Sequence, residues 1–183
     1  MPGIIVDIGT GDGSFTYEIA KSNPDRFVIG IDPNHNDLVE TSRKIYKKPQ
    51  KGGLPNALFV LASIEDLPDE LNGLADQIFI NFPWAGLLKG IVEVEDKTWN
   101  SIKRISKLGT IVDIILSYGE GDKLSLPELD IETMRGKLLE IGFELAESKK
   151  LGPEDLKNYP STWAKKLSFG KDRDYYYFRL KVI

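Results

Sequence analysis

The sequence contains no cysteine and only one histidine, His35, among its 183 residues. The absence of cysteine excludes disulfides, thiolate catalysis and zinc or iron–sulfur sites held by cysteine. A Ser-His-Asp hydrolase or a site with several histidine ligands would depend on this single imidazole. We interpret His35 as a solvated residue near the start of a helix, and we predict no metal site.

The sequence also lacks an apolar run of about 18 residues, so no transmembrane segment is expected. Its first residues lack the basic segment of a signal peptide and continue directly into a strand-like stretch. Hydrophobic residues make up 41% and charged residues 28% of the chain, which is an ordinary globular composition. We therefore expect a single domain over residues 1–183, cytoplasmic and monomeric, without contact to a membrane.

An excess of positive charge is absent as well. The formal net charge is −4, so binding to nucleic acid would require the cations to be concentrated locally. A first basic cluster consists of Arg43, Lys44, Lys47, Lys48 and Lys51, and a second consists of Lys165, Lys166, Lys171 and Arg173. Cations near a helix C-terminus suit the helix dipole, whereas contact with a phosphate backbone would relieve their mutual repulsion. Both interpretations stay open at this point.

Apolar, β-branched segments alternate with segments of helical periodicity, which is typical of a parallel sheet covered on both faces. Strands are predicted at residues 4–8, 27–32, 57–61, 77–80 and 110–116, and helices at 14–21 and 37–48. The last third predicts a helix at 134–141, a strand at 143–148 and an antiparallel closing strand at 174–182. We therefore predict an α/β fold with a Rossmann-like, mostly parallel sheet of seven strands and helices on both faces.

A glycine-rich segment, Gly9-Thr10-Gly11-Asp12-Gly13, joins the first predicted strand to the first helix. Glycines allow a tight turn and a close approach of the backbone to a ligand, and the helix N-terminus offers free N–H groups. The segment indicates a nucleotide-binding loop, with a purely structural turn as the alternative.

Carboxylates follow the second and third predicted strands. Asp32 ends the second strand, where a carboxylate can accept hydrogen bonds from both ribose hydroxyls of an adenosine; a helix N-cap before Pro33 is the alternative. Glu65 follows the third strand and is expected beside an adenine ring, with Ile64 packing on the face of that ring. The alternative for Glu65 is the start of an ordinary surface helix.

The spacing of the glycines separates two classes of nucleotide cofactor. Gly-x-Gly-x-Gly is followed by Ser14 at the sixth place, where the dinucleotide fingerprint has its third glycine. The carboxylates of Asp7 and Asp12 around the loop disfavour a pyrophosphate and suit the amino group of a methionine tail. We therefore predict S-adenosylmethionine as the cofactor. The loop residues expected to contact it are Asp7, Gly9, Thr10, Gly11 and Gly13.

Residues 81–90, Asn-Phe-Pro-Trp-Ala-Gly-Leu-Leu-Lys-Gly, follow the fourth predicted strand and are expected as a loop facing the methyl donor. They resemble the Asn/Asp-Pro-Pro-aromatic signature of amino-methyltransferases, in which polar acceptors hold an exocyclic amine. Phe82 replaces the first proline of that signature, which favours a ring nitrogen as the acceptor of the methyl group. A ring nitrogen such as adenine N1 carries a lone pair and no proton, so it needs positioning rather than a general base.

Three tryptophans have different expected roles. Trp84 and Trp163 lie in predicted loops and could hold a flipped base between two indole rings, with edge packing as the alternative. Trp99 lies in a helical segment before Ile102 and Ile105, which indicates packing in the core.

Four segments together resemble the 16S rRNA adenine-N1 methyltransferases that confer aminoglycoside resistance of the kanamycin–apramycin type. They are residues 6–13 (Val-Asp-Ile-Gly-Thr-Gly-Asp-Gly), 51–56 (Lys-Gly-Gly-Leu-Pro-Asn), 82–90 (Phe-Pro-Trp-Ala-Gly-Leu-Leu-Lys-Gly) and 161–167 (Ser-Thr-Trp-Ala-Lys-Lys-Leu). The resemblance runs from about Ile4 to the C-terminus and implies a class I S-adenosylmethionine-dependent methyltransferase. Its implied target is N1 of a flipped adenine in the decoding site of the assembled small ribosomal subunit.

The resemblance also implies roles for individual residues. Asp32 would bind the ribose, and Phe82, Pro83, Trp84 and Trp163 would position the base. The cofactor pocket would include Ile64, Glu65, Asn81, Phe82, Pro83, Trp84, Ala85, Gly86, Ser161, Thr162 and Trp163. The rRNA contacts would be Arg43, Lys44, Lys47, Lys48, Lys166, Lys171 and Arg173.

Members of this family carry an N-terminal β-hairpin before the cofactor loop, whereas the loop here begins almost at Met1, so we expect the hairpin to be missing. Two other functions stay open from the sequence. One is a methyltransferase acting on a small molecule, and the other is a homologue that binds S-adenosylmethionine without acting on rRNA.

Overall fold

The computed structural model describes residues 3–118, 129–157, 159–160 and 174–183. Some predicted site residues lie outside these ranges, and their roles stay predictions. They are Ser161, Thr162, Trp163, Lys165, Lys166, Lys171 and Arg173.

Seven strands within the described ranges form one sheet in the order β3-β2-β1-β4-β5-β7-β6. The strands are β1 (Ile4–Ile8), β2 (Phe27–Asp32), β3 (Ala57–Leu61), β4 (Ala75–Asn81), β5 (Ser106–Tyr118), β6 (Phe143–Leu151) and β7 (Asp174–Val182). Pairs among β1 to β5 are parallel, and β7 is antiparallel to both β5 and β6. The predicted α/β fold with an antiparallel C-terminal strand is confirmed.

Helices pack on both faces of the sheet. They are α1 (Ser14–Ser22), α2 (His35–Ile45), α3 (Ala85–Val92), α4 (Asp96–Ile105), α5 (Ile131–Ile141) and α6 (Pro153–Leu156). Helices α1 and α2 bury Tyr17 and Ile45 with Ile5 and Val28 of the sheet. Helices α3, α4 and α5 contribute to the larger cluster on the opposite face.

The larger cluster contains Trp99, which is fully buried and meets the ring of Phe143 edge-on at 5.0 Å between centroids. The prediction that Trp99 packs in the core is therefore confirmed. His35 is exposed at the first position of α2, as predicted. Among the residues that the structure describes, no helix has both the length and the apolar character needed to cross a bilayer.

Two predicted boundaries are wrong in ways that affect the site. Residues 85–90 form most of helix α3 instead of continuing the loop, because the apolar residues Leu88 and Ile91 pack into the core at helical spacing. The helix predicted at 37–48 ends at Ile45, and a 3-10 turn, Pro49–Lys51, follows it. Lys47 and Lys48 therefore lie beyond the helix, so they do not form i,i+4 pairs with Arg43 and Lys44 on one helical face.

Candidate functional site

A cavity of about 650 Å³ opens at the carboxyl ends of the parallel strands. Its position is next to the point where the strand order reverses, between β1 and β4, which is where open α/β sheets bind ligands. It is lined by Ile8, Gly9, Gly11, Ile31, Asp32, Pro33, Asn34, Asp37, Ala62, Ser63, Ile64, Glu65, Phe82, Pro83, Trp84, Ala85, Gly86, Leu87, Leu88 and Ser117. The volume is in the usual range for a pocket that holds a cofactor-sized ligand.

The glycine-rich loop follows β1 and forms one wall of this cavity. The amides of Gly9 and Thr10 both donate to the carbonyl of Ile31, at 2.8 and 3.0 Å, which fixes the loop against the end of β2. Gly9 has φ 74°, a left-handed conformation that favours glycine, and it lines the cavity. The backbone can therefore approach a ligand closely at this position.

Gly13 has a packing role instead. It is the N-cap of α1 with φ 75°, and a Cβ at this position would lie 2.7 Å from the ring of Phe59. Gly13 and Thr10 are buried and do not line the cavity, and the Thr10 hydroxyl is 2.7 Å from the hydroxyl of Thr16. Neither residue lines the cavity, and their expected contacts with the cofactor stay predictions.

The two carboxylates around the loop, Asp7 and Asp12, have hydrogen-bond partners within the protein. Asp7 is 1% exposed, accepts a hydrogen bond from the Thr16 hydroxyl at 2.8 Å, and does not line the cavity. Burial raises the pKa of Asp7 to about 6. Asp12 accepts a hydrogen bond from the backbone N–H of Ser14 at 3.0 Å and likewise lies outside the cavity wall. Neither carboxylate lines the cavity, and their expected contact with the amino group of a methionine tail stays a prediction.

Asp32 lines the cavity at the end of β2, as the sequence predicted. One carboxylate oxygen accepts from the backbone N–H of Gly11 at 2.9 Å, and the other accepts from the N–H of Asn34 at 2.8 Å. The N-cap of α2 is Asn34, so the alternative that Asp32 caps this helix is wrong. A carboxylate has about four acceptor positions, so each oxygen keeps capacity for a ribose hydroxyl.

Ile64 and Glu65 follow β3 and line the opposite side of the cavity. Ile64 is 6% exposed and Glu65 is exposed, in a 3-10 turn that Ser63 precedes. This arrangement offers an apolar surface and an exposed carboxylate side by side, as predicted for the two sides of an adenine ring.

The turn after β4 is strained. Phe82 and Ala85, neither of them glycine, have φ 50° and 49°, and the amide of Phe82 donates to the carbonyl of Ile115 at 2.7 Å. Backbone strain of this kind is found at functional sites, where the surrounding structure enforces it. Between these residues Pro83 is buried, whereas Trp84 is the N-cap of α3 and is 82% exposed. The turn therefore presents a large indole at the rim of the cavity.

Asn81, the last residue of β4, is 8% exposed and is not among the residues that line the cavity, so its expected contact with the cofactor stays a prediction. Its side-chain carbonyl accepts a hydrogen bond from the hydroxyl of Tyr159 at 2.6 Å. The ring of Tyr159 stacks on Phe15 with 5.5 Å between centroids, and burial holds the pKa of its hydroxyl well above the usual range. Tyr159 could not be identified from the sequence, because no spacing or motif connects it to Asn81.

Other lining residues that the sequence analysis missed lie at strand ends. Ser117 near the end of β5 is buried, and its hydroxyl has no hydrogen-bond partner among the described residues. Ile8 and Ile31 end or nearly end β1 and β2. The rule that ligands bind at the carboxyl ends of parallel strands could have identified them from the sequence.

The first basic cluster is exposed throughout. Arg43 and Lys44 are in the last turn of α2, and Lys47, Lys48 and Lys51 lie after it. The Nζ atom of Lys44 is 3.6 Å from the centroid of the Tyr17 ring, which is a cation–π contact. Lys44 therefore has a structural contact in addition to its exposure.

Comparison with known proteins identifies the family. Residues 1–182 match the family model described as NpmA: 16S rRNA (adenine(1408)-N(1))-methyltransferase. A protein of that name from Escherichia coli is 36% identical over 182 residues, covering 93% of this chain and 83% of that protein. A second, from Streptoalloteichus tenebrarius, is 29% identical over 180 residues, covering 93% of this chain and 82% of that protein.

Solved structures agree with this assignment. The W203A mutant of the 16S rRNA (adenine(1408)-N(1))-methyltransferase from Catenulisporales acidiphilia, with cosubstrate SAM, superimposes with a TM-score of 0.89 at 30% identity, covering 99% of this chain and 86% of that one. The aminoglycoside resistance methyltransferase NpmB1 superimposes with a TM-score of 0.84 at 34% identity, covering 99% and 87%. The family predicted from the four sequence segments is confirmed, and the chain belongs to the 16S rRNA (adenine(1408)-N(1))-methyltransferase family.

Proposed function

We propose that this protein uses S-adenosylmethionine to methylate N1 of adenine 1408 in 16S rRNA, within the assembled small ribosomal subunit, and thereby confers aminoglycoside resistance. The observation that carries the proposal is the exposed indole of Trp84 on a strained turn at the rim of the cavity. A flipped base needs a ring on which to stack, and the exposed indole at the rim of the cavity provides one. We expect the protein to act in the cytoplasm, where its target lies, and as a monomer.

The cavity fits S-adenosylmethionine. The Asp32 carboxylate keeps acceptor capacity for the ribose, Ile64 and Glu65 frame a site for the adenine ring, and the backbone at Gly9 and Gly11 lines the remaining wall. When bound, S-adenosylmethionine supplies a methyl group made electrophilic by its attachment to a sulfonium.

The acceptor atom then determines what the protein must contribute. Adenine N1 presents a lone pair in the ring plane and carries no proton, so the protein needs no general base. Its contribution is to hold the ring in line with the methyl group at near-attack distance. The product ring is cationic, and the face of Trp84 can stabilise it by about 0.5–2 kcal/mol.

We further propose that Trp163 holds the other face of the base. Tyr159 supports this role, because it is fixed against Phe15 and Phe82 at the edge of the site and precedes Trp163 by four residues. Four residues span at most about 14 Å, so the chain cannot carry Trp163 farther than that from Tyr159. Ser161 and Thr162 would then border the same space.

The rRNA backbone would be held by the exposed cations of the first basic cluster and by Lys166, Lys171 and Arg173. The exposure of Arg43, Lys47, Lys48 and Lys51 supports this proposal, because each can reach a phosphate without first being released from an ion pair among the described residues. These contacts are sequence-independent, so recognition of one adenine depends on the shape of the assembled subunit.

The experiment is primer extension across the decoding site of small subunits incubated with the protein and S-adenosylmethionine, together with mass spectrometry of the digested nucleosides. We expect a stop at adenine 1408 and 1-methyladenosine as the product. Protein-free 16S rRNA serves as the second substrate and should be methylated far more slowly. Calorimetric binding of S-adenosylmethionine without any stop would contradict the proposal and favour a homologue inactive on rRNA.

A further inference from the structure

Tyr46 is an exposed aromatic residue in the middle of the first basic cluster. It is the C-cap of α2 and is 77% exposed. Its side chain has no hydrogen bond or ring contact with the residues that the structure describes. Single exposed aromatic residues are common on protein surfaces, so exposure alone assigns no role to this ring. The charges around it and the backbone that carries it distinguish Tyr46 from an ordinary exposed side chain.

Cations are the neighbours of Tyr46 both along the chain and on the helix. Arg43 precedes Tyr46 by three positions, so the two side chains are adjacent on one face of α2. Lys47 and Lys48 follow directly, and within the described part of the chain neither they nor Arg43 form an ion pair. Free cations that surround an exposed aromatic ring are the combination with which proteins bind unpaired nucleotides. The partner that fits this surface is therefore a nucleic acid with an unpaired base.

The backbone around Tyr46 is fixed by its own hydrogen bonds. The N–H of Leu54 donates to the carbonyl of Ile45 at 2.9 Å, and the N–H of Gly53 donates to the carbonyl of Lys48 at 3.1 Å. Ile45, the residue before Tyr46, is buried in the core. A ring carried by a fixed backbone loses little conformational entropy when a base stacks on it. The fold therefore presents Tyr46 in a position that is prepared for binding.

The length of α2 separates Tyr46 from the cavity. The helix begins beside the cavity, where Asn34 and Asp37 belong to the wall, and it ends at Ile45. Its 11 residues are about 16 Å long. A base that reaches Tyr46 is therefore a different nucleotide from the adenine that the cavity receives.

We propose that Tyr46 stacks on an unpaired base of 16S rRNA outside the cavity, while the cations beside it hold the neighbouring phosphates. This inference rests on the proposed function. Phosphate contacts strengthen binding but carry no information about the sequence. A stacked base adds a second fixed point, about 16 Å from the reacting adenine, at which the surface of the subunit must match the protein. The contact contributes to subunit binding and has no part in the transfer of the methyl group.

Subunit binding by the wild-type protein and three variants tests the inference, with S-adenosylhomocysteine present so that no transfer occurs. Tyr46→Ala should raise the Kd for small subunits about tenfold, because the stacking of a base is lost. Tyr46→Leu should lose nearly as much, since it keeps an apolar side chain without an aromatic face, whereas Tyr46→Phe should stay within about twofold of the wild type. The slope of log Kd against log salt concentration should be equal in all four proteins, because no charge changes.

Leu108→Ala is the matched control. Leu108 is also a large, exposed apolar side chain, but it lies near the start of β5 and outside the basic cluster, so its loss should leave the Kd unchanged. Wild-type affinity in Tyr46→Ala overturns the inference. An equal loss in Tyr46→Phe and Tyr46→Ala also overturns it, because the hydroxyl and not the ring would then make the contact. A wild-type protein that neither binds nor methylates small subunits would instead overturn the proposed function.

A photoreactive ring at the same position identifies the partner without any activity. Tyr46 is replaced with benzoylphenylalanine, and the complex with small subunits is irradiated, with a sample kept in the dark as the control. We expect a cross-link to a nucleotide of 16S rRNA other than adenine 1408, which reverse transcription locates as a stop. A cross-link to a ribosomal protein alone would show that the partner of the ring is a protein, and the inference would fail.

Discussion

Replacing Asp32 with alanine removes the one carboxylate that ends a central strand and lines the cofactor cavity. In the absence of ligand its two oxygens hold the backbone N–H groups of Gly11 and Asn34 at 2.9 and 2.8 Å. With S-adenosylmethionine bound, we expect the same oxygens to accept the two ribose hydroxyls as well. The substitution therefore affects the ligand directly and the glycine-rich loop indirectly.

The expected loss of affinity follows from these contacts. A hydrogen bond to a charged group contributes about 1.5–3 kcal/mol, and Asp32 is only partly buried, so the lower value applies to each ribose hydroxyl. Two such bonds amount to about 3 kcal/mol, which corresponds to a loss of about 100-fold in the affinity for S-adenosylmethionine. Asp32→Asn keeps one acceptor oxygen and should lose about tenfold.

Calorimetric titration measures these affinities, and ligand analogues separate the direct effect from the indirect one. A deoxyribose analogue of S-adenosylhomocysteine should bind the wild-type protein about tenfold more weakly than S-adenosylhomocysteine does. The Asp32→Ala variant should bind both ligands equally, because the partner of the missing hydroxyl has been removed. Asp12→Ala is the control, since it removes a carboxylate of the same loop that lies outside the cavity lining.

Two results would refute this reasoning. Affinity for S-adenosylmethionine within threefold of the wild type in Asp32→Ala would mean that the carboxylate makes no important contact with the ligand. An equal penalty for the deoxy analogue in wild type and variant would mean that Asp32 only holds the loop.

Three further predictions concern the rest of the site. Trp84→Ala should change the free energy of unfolding by less than about 0.5 kcal/mol, because the side chain is 82% exposed. In single-turnover assays it should lower methyl transfer to small subunits by about 10- to 100-fold, because the stacking of the base is lost. Lys48→Glu should weaken subunit binding and reduce the slope of log Kd against log salt concentration by about one. Lys44→Glu should do the same and in addition lower the free energy of unfolding by about 0.5–1 kcal/mol, because the Nζ atom of Lys44 lies 3.6 Å from the Tyr17 ring centroid. Burial raises the pKa of Asp7 from 3.8 to about 6, so the ionised carboxylate destabilises the fold at neutral pH and ceases to do so below both values. The urea stability of Asp7→Asn relative to wild type should therefore increase by about 2 kcal/mol between pH 4 and pH 8, and a constant difference would contradict the role of burial.

The parallel part of the sheet could be predicted from the sequence because its strands β1 and β2 are buried on both faces. Continuous apolar segments such as Ile4–Ile8 and Phe27–Asp32 have few other structures available in a soluble domain. The helix α3 was missed because it is short and because its first residue, Ala85, and Phe82 in the preceding turn are both in the left-handed region. Local residue preferences do not predict such a turn, because the tertiary structure imposes it.

The cofactor half of the site was easier to predict than the half that holds the base. Asp32, Ile64 and Glu65 follow strands directly, so the register of the sheet brings them to one edge. Asp7 and Thr10 belong to the same segment as Gly9 and Gly11, yet only the two glycines line the cavity. Which residues of the segment line the cavity depends on the path of the backbone, and the spacing of the residues does not predict it. The hydrogen bond between Asn81 and Tyr159 joins residues that are 78 positions apart, and no sequence motif contains both of them.

The two halves of the site also differ in what their chemistry requires of the fold. Two residues in the left-handed region cost roughly 1–2 kcal/mol each, and Phe82 offsets part of this through its bond to Ile115 and its packing with Leu156 and Tyr175. A reaction that needed a general base would require a titratable group at this turn. A reaction that needs only a fixed ring beside a methyl group requires a turn that cannot relax, and the strain at Phe82 and Ala85 is consistent with that second requirement. The conformation of the turn and the choice of a ring nitrogen therefore follow from the same demand for position.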